Sequence, residues 1–194
     1  MFSRTDGLVI IAGGKLTTYR RMARQAVNET VKLLDQLGET VPVTRISTKG
    51  RPLPGADGLT QPGLEGVAAV GRALMADHGL DVDTATHLCG VYGARAPVLA
   101  RRIAADPAQG ARLDPELPYV WAEIEFAAGH DLARTVEDVL ARRVPLLLVS
   151  RDQGLGVCER VADVLGAQLG WSAAQRTRML DEYRAEVALS RRWR

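Results

Sequence analysis

The sequence contains few of the residues on which several classes of protein depend. Aromatic residues make up 5% of the 194 positions, which argues against a stacking surface for single-stranded nucleic acid. The two cysteines, Cys89 and Cys158, stand far apart and outside any C-x-x-C pair, so reduced thiols are expected rather than a disulfide framework. No apolar run approaches the roughly 20 residues that span a bilayer. The start of the chain lacks the apolar core of a signal peptide. We therefore expect a cytoplasmic protein.

The charge is almost balanced, which gives no reason to expect nucleic acid as a partner. Twenty-five basic residues face 23 acidic ones, for a net charge of +2, and only three of the cations are lysines. His78, His87 and His130 show no metal-ligand spacing with each other or with the cysteines, so no metal site is predicted. Hydrophobic residues at 46% and charged residues at 25% are typical of a folded globular chain.

The first forty residues predict a strand, a tight turn and a helix. Leu8 to Ile11 form a short apolar run of the kind found in strands that are buried on both faces. Gly13 and Gly14 end this run, and Thr17 and Thr18 are candidate N-caps. A helical pattern then begins at Tyr19 and runs to a predicted C-terminal glycine, Gly38.

Residues 41–63 read as a linker, because prolines and glycines alternate there. The chain is thus predicted to comprise a strand–helix unit at 1–40, this linker, and a helical domain at 64–194. The fold class that follows is mainly α. Helices are predicted in this domain at 64–77, 84–91 capped by Asp83, 98–105, 136–143, 154–169 and 173–189.

Two parts of the helical domain allow more than one interpretation. Residues 119–128 alternate like a strand, yet their alanines and glutamates suit a helix. Arg142 stands four residues after Asp138 and next to Arg143, which favours an ion pair within a helix over a docking surface. Capping boxes are expected to open the helices that follow Thr135 and Ser172.

The turn Gly13-Gly14-Lys15 is the segment in which chemistry is expected. Glycines let a ligand approach the backbone closely, and the unpaired N–H groups at the start of a helix favour negative charge. Lys15 adds a positive charge and the threonines add hydroxyl donors. We interpret the turn as a site for an anion, or for a carbonyl that becomes anionic. It is not a Walker phosphate loop, because Val9 stands where that motif needs glycine.

Two stretches of the chain resemble FAD-dependent glycerol-3-phosphate dehydrogenases and the related alpha-glycerophosphate oxidases. Residues 7–27, GLVIIAGGKLTTYRRMARQAV, are similar to the last strand–helix unit of the family's flavin domain, which carries a G-G-K-x-T-T-Y-R-x-M-A pattern. Residues 121–148, WAEIEFAAGHDLARTVEDVLARRVPLLL, are similar to its C-terminal helical domain, with A-R-T-x-[ED]-D-x-L-x-R-R as the central block. The two stretches have the family's order and frame almost the whole chain.

The resemblance implies that this chain is the C-terminal part of a longer enzyme. The family begins with a G-x-G-x-x-G turn that binds the FAD pyrophosphate, and this chain has none. Gly154 and Gly156 begin such a pattern, but Glu159 stands where its third glycine belongs. The missing N-terminal FAD-binding half is therefore an expected partner, and the chain alone is expected neither to bind FAD nor to be active.

The resemblance also implies roles for the residues of the turn. In the family, FAD takes a hydride from C2 of glycerol 3-phosphate, and the electrons pass to a quinone or, in the oxidases, to oxygen. Gly13 and Gly14 correspond to the residues that approach the flavin ring. Lys15, Leu16, Thr17 and Thr18 follow at the helix start, where main-chain amides and hydroxyls face the edge of the ring that becomes negative on reduction. The side chain of Lys15 corresponds to the lysine that reaches the substrate or its phosphate.

Other possibilities remain at this point. The resemblance leaves open a homodimer and peripheral association with the inner face of the cell membrane. A stand-alone helical module for protein interaction is the main alternative function. A weak nucleic-acid binder is a third, although acidic residues interrupt the arginines.

Overall fold

The computed structural model describes residues 2–3, 7–40, 42 and 47–192. Within these ranges the fold is mainly helical, as predicted. The chain divides into two compact units, Met1–Arg51 and Pro52–Arg194. The boundary falls inside the predicted linker, of which residues 41 and 43–46 lie outside the described part.

The first unit consists of a small hairpin and one long helix. Strands β1 (Phe2–Ser3) and β2 (Val9–Ile10) pair antiparallel, with Ser3 opposite Val9. A 3₁₀ turn at Leu16–Thr18 leads into helix α1 (Tyr19–Gln36). The apolar run was expected to form a strand that is buried on both faces, and this is wrong for the described chain. Its two strand residues are half-buried and their neighbours Leu8 and Ile11 are 49% and 45% exposed.

The second unit is a bundle of helices of unequal length. In chain order they are α2 (Gly63–His78), α3 (Val82–Tyr92), α4 (Ala96–Ala105), α5 (Ala122–His130), α6 (Leu146–Val149), α7 (Cys158–Leu169) and α8 (Ala173–Ser190). The left-handed glycines Gly79 and Gly170 end α2 and α7, because a residue without Cβ adopts that conformation at little cost.

Two hydrophobic cores hold this unit together. One lies among α2, α3, α4 and α5, and includes Leu74, Leu88, Leu99 and Phe126. The other lies among α5, α7, α8 and the segment that connects α5 to α7. It includes Ile124, Leu140, Leu165 and Tyr183. Helix α5 contributes to both cores and is buried along most of its length. Because both sides of α5 are buried, its apolar residues show no single helical face. For the same reason the sequence did not decide between a strand and a helix at residues 119–128.

Two boundaries in the second unit differ from those predicted. Asp81 rather than Asp83 caps α3, since its carboxylate accepts from the amide of Thr84 at 3.0 Å. Helix α7 begins at Cys158 rather than at Gly154, because the carboxylate of Asp152 accepts hydrogen bonds from the amides of Gly154 and Gly156 and holds a turn there.

The segment after Thr135 is wound more loosely than the predicted α-helix. The expected cap is present, since Thr135 Oγ1 accepts from the amide of Asp138 and the Asp138 carboxylate accepts from the amide of Thr135. From Asp138 to Arg143 the backbone is π-helical, with the amide of Val144 donating to the carbonyl of Val139. The expected Asp138–Arg142 ion pair is present, with 3.1 Å between the charged groups. The capping box at Ser172 is also confirmed.

Candidate functional site

The turn that the sequence singled out connects β2 to α1 and depends on its two glycines. Gly13 has φ of +74° and Gly14 has φ of +119°, a region that residues with a Cβ rarely enter. A Cβ on Gly14 would also lie 2.4 Å from the sulfur of Met22, whereas a Cβ on Gly13 would meet nothing within 4 Å. The backbone conformation therefore favours glycine at both positions, while the end of the flexible Met22 side chain could move aside for a Cβ on Gly14.

The start of α1 presents free main-chain donors. The amides of Lys15, Leu16 and Thr17 precede the first helical hydrogen bond, which runs from the amide of Thr18 to the carbonyl of Lys15 at 2.9 Å. In the described part of the chain, none of these three amides donates a hydrogen bond. Such a group of amides favours an acceptor that carries negative charge.

The threonines act differently from the predicted N-caps. Thr18 does occupy the N-cap position of α1, but its hydroxyl donates to the carbonyl of Lys15 at 2.9 Å instead of accepting from an amide. Thr17 lies inside the 3₁₀ turn rather than at a cap. Because no side chain of the described residues caps the amides at the helix start, a ligand could accept hydrogen bonds from them.

A cleft of about 350 Å³ opens beside the glycines. Its walls come from the end of the hairpin, from the turn, and from one face of α1. Thr18, Arg21, Met22 and Gln25 form that helical face, at spacings of three, four and seven residues. Sequence reasoning did not find the last three, although their spacing from Thr18 was a usable signal. The cleft thus brings Gly13 and Gly14 together with the guanidinium group of Arg21 and the side-chain amide of Gln25.

The charge at the start of α1 is one-sided, and of its cations Arg21 lines the cleft, whereas Lys15 and Arg20 do not. Lys15 and Arg20 are exposed at the start of α1, and Arg21 follows, while the first turn of this helix contains no acidic residue. Cations at a helix N-terminus oppose the helix dipole, at a cost of about 0.3–1 kcal/mol each. A start with several cations and no carboxylate is therefore suited to an anionic ligand more than to the stability of the helix.

A second cluster of polar side chains lies in the helical unit around Glu123. This residue is fully buried, yet its carboxylate accepts from the Tyr92 hydroxyl at 2.9 Å and from the Val120 amide at 2.7 Å. Nε2 of His87 lies 2.8 Å from the same carboxylate. Burial, followed by the charge of Glu123, raises the pKa of Tyr92 far above its ordinary value, so this hydroxyl stays protonated and acts as a donor.

The Glu123 cluster has the geometry of a structural tie. It joins α3 to α5, and every oxygen of the carboxylate has a partner from the protein. No open cleft reaches it among the described pockets. Sequence analysis missed it, because the alternation of residues 119–128 did not show which side of the segment was buried.

The described residues contain no group of three or more potential metal ligands, and neither Cys89 nor Cys158 is in a disulfide. The described helices also include none that is both long and apolar enough to cross a bilayer.

Comparison with known proteins identifies the class. A family model described as the C-terminal domain of alpha-glycerophosphate oxidase matches residues 46–176. Because this match covers more than half of the chain, the chain belongs to that family.

Individual relatives are named as glycerol-3-phosphate dehydrogenases. A probable mitochondrial enzyme of Caenorhabditis elegans is 37% identical over 186 residues, which are 94% of this chain and 24% of the relative. Glycerol-3-phosphate dehydrogenase 2 of Mycobacterium bovis is 33% identical over 183 residues, which are 93% of this chain and 29% of the relative. The chain thus spans less than a third of the length of these relatives.

A solved structure shares the fold. The glycerol-3-phosphate dehydrogenase from Bacillus halodurans, determined in complex with FAD, matches with a TM-score of 0.64 and 24% sequence identity. The match covers 91% of this chain and 34% of that one. The helical architecture described above is therefore that of the matching part of this enzyme.

Proposed function

We propose that this chain is the C-terminal part of an FAD-dependent glycerol-3-phosphate dehydrogenase. The parent enzyme oxidises C2 of glycerol 3-phosphate to a ketone, which yields dihydroxyacetone phosphate, and passes the electrons to a quinone. The observation that carries the proposal is the glycine turn of the first unit, followed at once by a helical domain of the alpha-glycerophosphate oxidase family. The names of the relatives support the substrate, and their greater length supports a longer parent.

The residues of the turn fit a flavin edge. FAD, when bound, supplies the acceptor for the hydride and gains negative charge along its N1–C2 edge as it is reduced. Gly13 would let this edge approach the backbone, because the space on its Cβ side is open, whereas at Gly14 the end of the flexible Met22 side chain would have to move aside. The amides of Lys15, Leu16 and Thr17 would donate to it, and the helix start would favour its negative charge.

Lys15 and Thr18 complete the proposed site. The exposed ammonium of Lys15 would bind the phosphate of the substrate as a point charge. Thr18, through its hydrogen bond to the Lys15 carbonyl, would hold the turn in the shape that aims the amides outward. The remaining residues of the substrate site, including the base that takes the hydroxyl proton, would belong to the N-terminal half.

The first experiment compares this chain with the longer polypeptide that its upstream reading frame would encode. The longer protein should purify yellow, with one FAD per chain, and should reduce a dye when glycerol 3-phosphate is added. This chain alone should be colourless and inactive. If the chain alone bound FAD and turned over substrate, it would not be a part of such an enzyme.

The role of Lys15 has its own test in the longer protein. Lys15→Ala should raise KM for glycerol 3-phosphate about 10- to 100-fold, the effect of losing a hydrogen bond to a charged group, with a smaller change in kcat. Lys32→Ala is the matched control, because Lys32 is exposed on the same helix and pairs with Glu29 at 2.9 Å. Equal KM values in the two variants would remove Lys15 from the site.

A further inference from the structure

We propose that Gly55 and Gly93 form a latch that fastens residues 52–58 to the helical unit. The latch fixes the direction in which the chain enters this unit. All of its residues belong to the second unit, so the inference does not depend on the proposed function.

The two glycines contact each other through their backbones. The amide of Ala94, next to Gly93, donates to the carbonyl of Gly55 at 2.8 Å. A Cβ on Gly93 would lie 2.1 Å from that same carbonyl oxygen, and a Cβ on Gly55 would lie 3.0 Å from the carbonyl oxygen of Tyr92. Each glycine therefore leaves the space that the other backbone occupies.

The backbone conformations require glycine as well. Gly93 has φ of +55° with ψ of −130°, a combination that side chains exclude, and Gly55 has φ of +90°. The latch thus depends on residue type at both of its sides, which makes it sensitive to a single added methyl group.

Gly58, in the same segment, also lies close to the latch, since an added Cβ there would be 3.7 Å from the methyl carbon of Ala94. The amide hydrogen bonds of the segment are internal, from Ala56 and Asp57 to the carbonyl of Leu53. Leu53 is 60% exposed, and Gly55 is the half-buried residue of 52–58. A segment with so few buried apolar contacts opens locally at low free energy, so the contact between the glycines controls its opening.

Gly93, the residue of the latch that belongs to the helical unit, directly follows a buried residue of the hydrophobic core. Tyr92, the residue before Gly93, is 7% exposed, donates its hydroxyl to Glu123, and packs its ring against Phe126 with centroids 5.1 Å apart. Opening the latch should therefore release residues 52–58 while α3 and α5 stay in place.

Proteolysis of the 194-residue chain under native conditions tests this inference. In the wild type, a protease that cuts at leucine should attack Leu53 and Leu59 slowly. Gly93→Ala should increase the rate of cleavage at these two leucines about tenfold, because cleavage follows the population of the open form. Gly90→Ala is the matched control, since Gly90 lies on the same helix and an added Cβ there meets nothing within 4 Å. It should leave the rate unchanged.

Two further measurements keep the test independent of damage to α3. Gly55→Ala changes the latch from the side of the segment and should give the same faster cleavage. Hydrogen exchange of the Ala94 amide should accelerate in both latch variants, while the thermal transition of the helical unit stays near that of the wild type. Cleavage and exchange no faster than in Gly90→Ala would overturn the latch. If Gly93→Ala unfolds the unit, Gly55→Ala decides the question by the same measurements.

Discussion

Glu123 shows how one residue can define the packing of two helices. A buried carboxylate is costly unless its oxygens are hydrogen-bonded, and here the Tyr92 hydroxyl and the Val120 amide supply the bonds beside His87. Because His87 and Tyr92 belong to α3 and Val120 lies two residues before α5, the carboxylate fixes the two helices relative to each other.

We expect Glu123→Gln to lower the free energy of unfolding by about 1–3 kcal/mol, because a neutral amide loses the stronger hydrogen bonds that a charged carboxylate accepts. Urea unfolding at neutral pH measures this loss. Glu182→Gln is the control, since Glu182 is 56% exposed in its surface pair with Arg178 and should cost less than about 0.5 kcal/mol. Similar losses in the two variants would contradict the structural role of Glu123.

Leu132 adopts a left-handed backbone conformation that leucine disfavours. It follows α5 with φ of +57° and is 72% exposed, at a position where helices usually have glycine. Leu132→Gly should therefore raise the free energy of unfolding by about 0.5 kcal/mol. Relief of the strain of the left-handed conformation stabilises the folded state, and the greater backbone entropy of glycine in the unfolded chain offsets part of that gain. Gly170→Ala, at φ of +70° and with open space around its Cβ, should lower it by about 1 kcal/mol. Thermal unfolding of both variants checks the opposite signs.

Among the helices, the C-terminal end of α1 was easier to predict than the starts of α3 and α7. Gly38 follows α1 as expected, because only local geometry decides its role. The π-helical turn at Asp138–Arg143 could not be predicted, since it depends on how Val139 and Leu140 pack into the core. The sequence also could not show that residues 122–130 form a helix rather than a strand, because both faces of α5 are buried.

The cap of α3 gives a prediction that depends on pH. The hydroxyl and then the amide of Thr84 hold the pKa of Asp81 below its ordinary value of 3.8. The stabilisation is therefore present above pH 3.8 and is lost as the pH falls through the lower pKa of the folded state. Asp81→Ala should cost about 1 kcal/mol at pH 7, the usual value of an N-cap, and progressively less in acid.

Asp83→Ala is the control for the cap, because Asp83 lies in the first turn of the same helix but is 79% exposed. It should change the free energy of unfolding by less than about 0.5 kcal/mol. Urea unfolding from pH 7 to pH 3 measures both variants. A larger loss in Asp83→Ala than in Asp81→Ala would show that the cap lies where the sequence first suggested.

At the scale of the whole molecule, the two units differ in how far they can support themselves. Among the described residues of Met1–Arg51, Leu33 is the only buried hydrophobic side chain, while Leu16, Val27 and Leu37 are 88%, 60% and 55% exposed. The second unit contains both cores. The boundary between the units falls within the stretch where the sequence changes to proline and glycine, but the sequence could not show how few buried apolar side chains the described part of the first unit contains.

Removal of residues 1–51 should accordingly leave the helical unit intact. We expect residues 52–194 to unfold cooperatively, with a midpoint within about 4 °C of that of the whole chain, because neither core loses a residue. Circular dichroism against temperature measures the two midpoints. Loss of the cooperative transition in the shorter chain would mean that the first unit is needed for the fold of the second.

We propose that the glycine turn of this chain lies against a flavin that a longer polypeptide binds. The visible absorption of that longer protein, recorded when glycerol 3-phosphate is added without an electron acceptor, tests this proposal. We expect the flavin to bleach in the wild type, and we expect Gly13→Ala, which places a methyl group where the ring would approach, to bind less flavin. A wild-type flavin that glycerol 3-phosphate leaves oxidised, or a Gly13→Ala protein with unchanged flavin content, would contradict it.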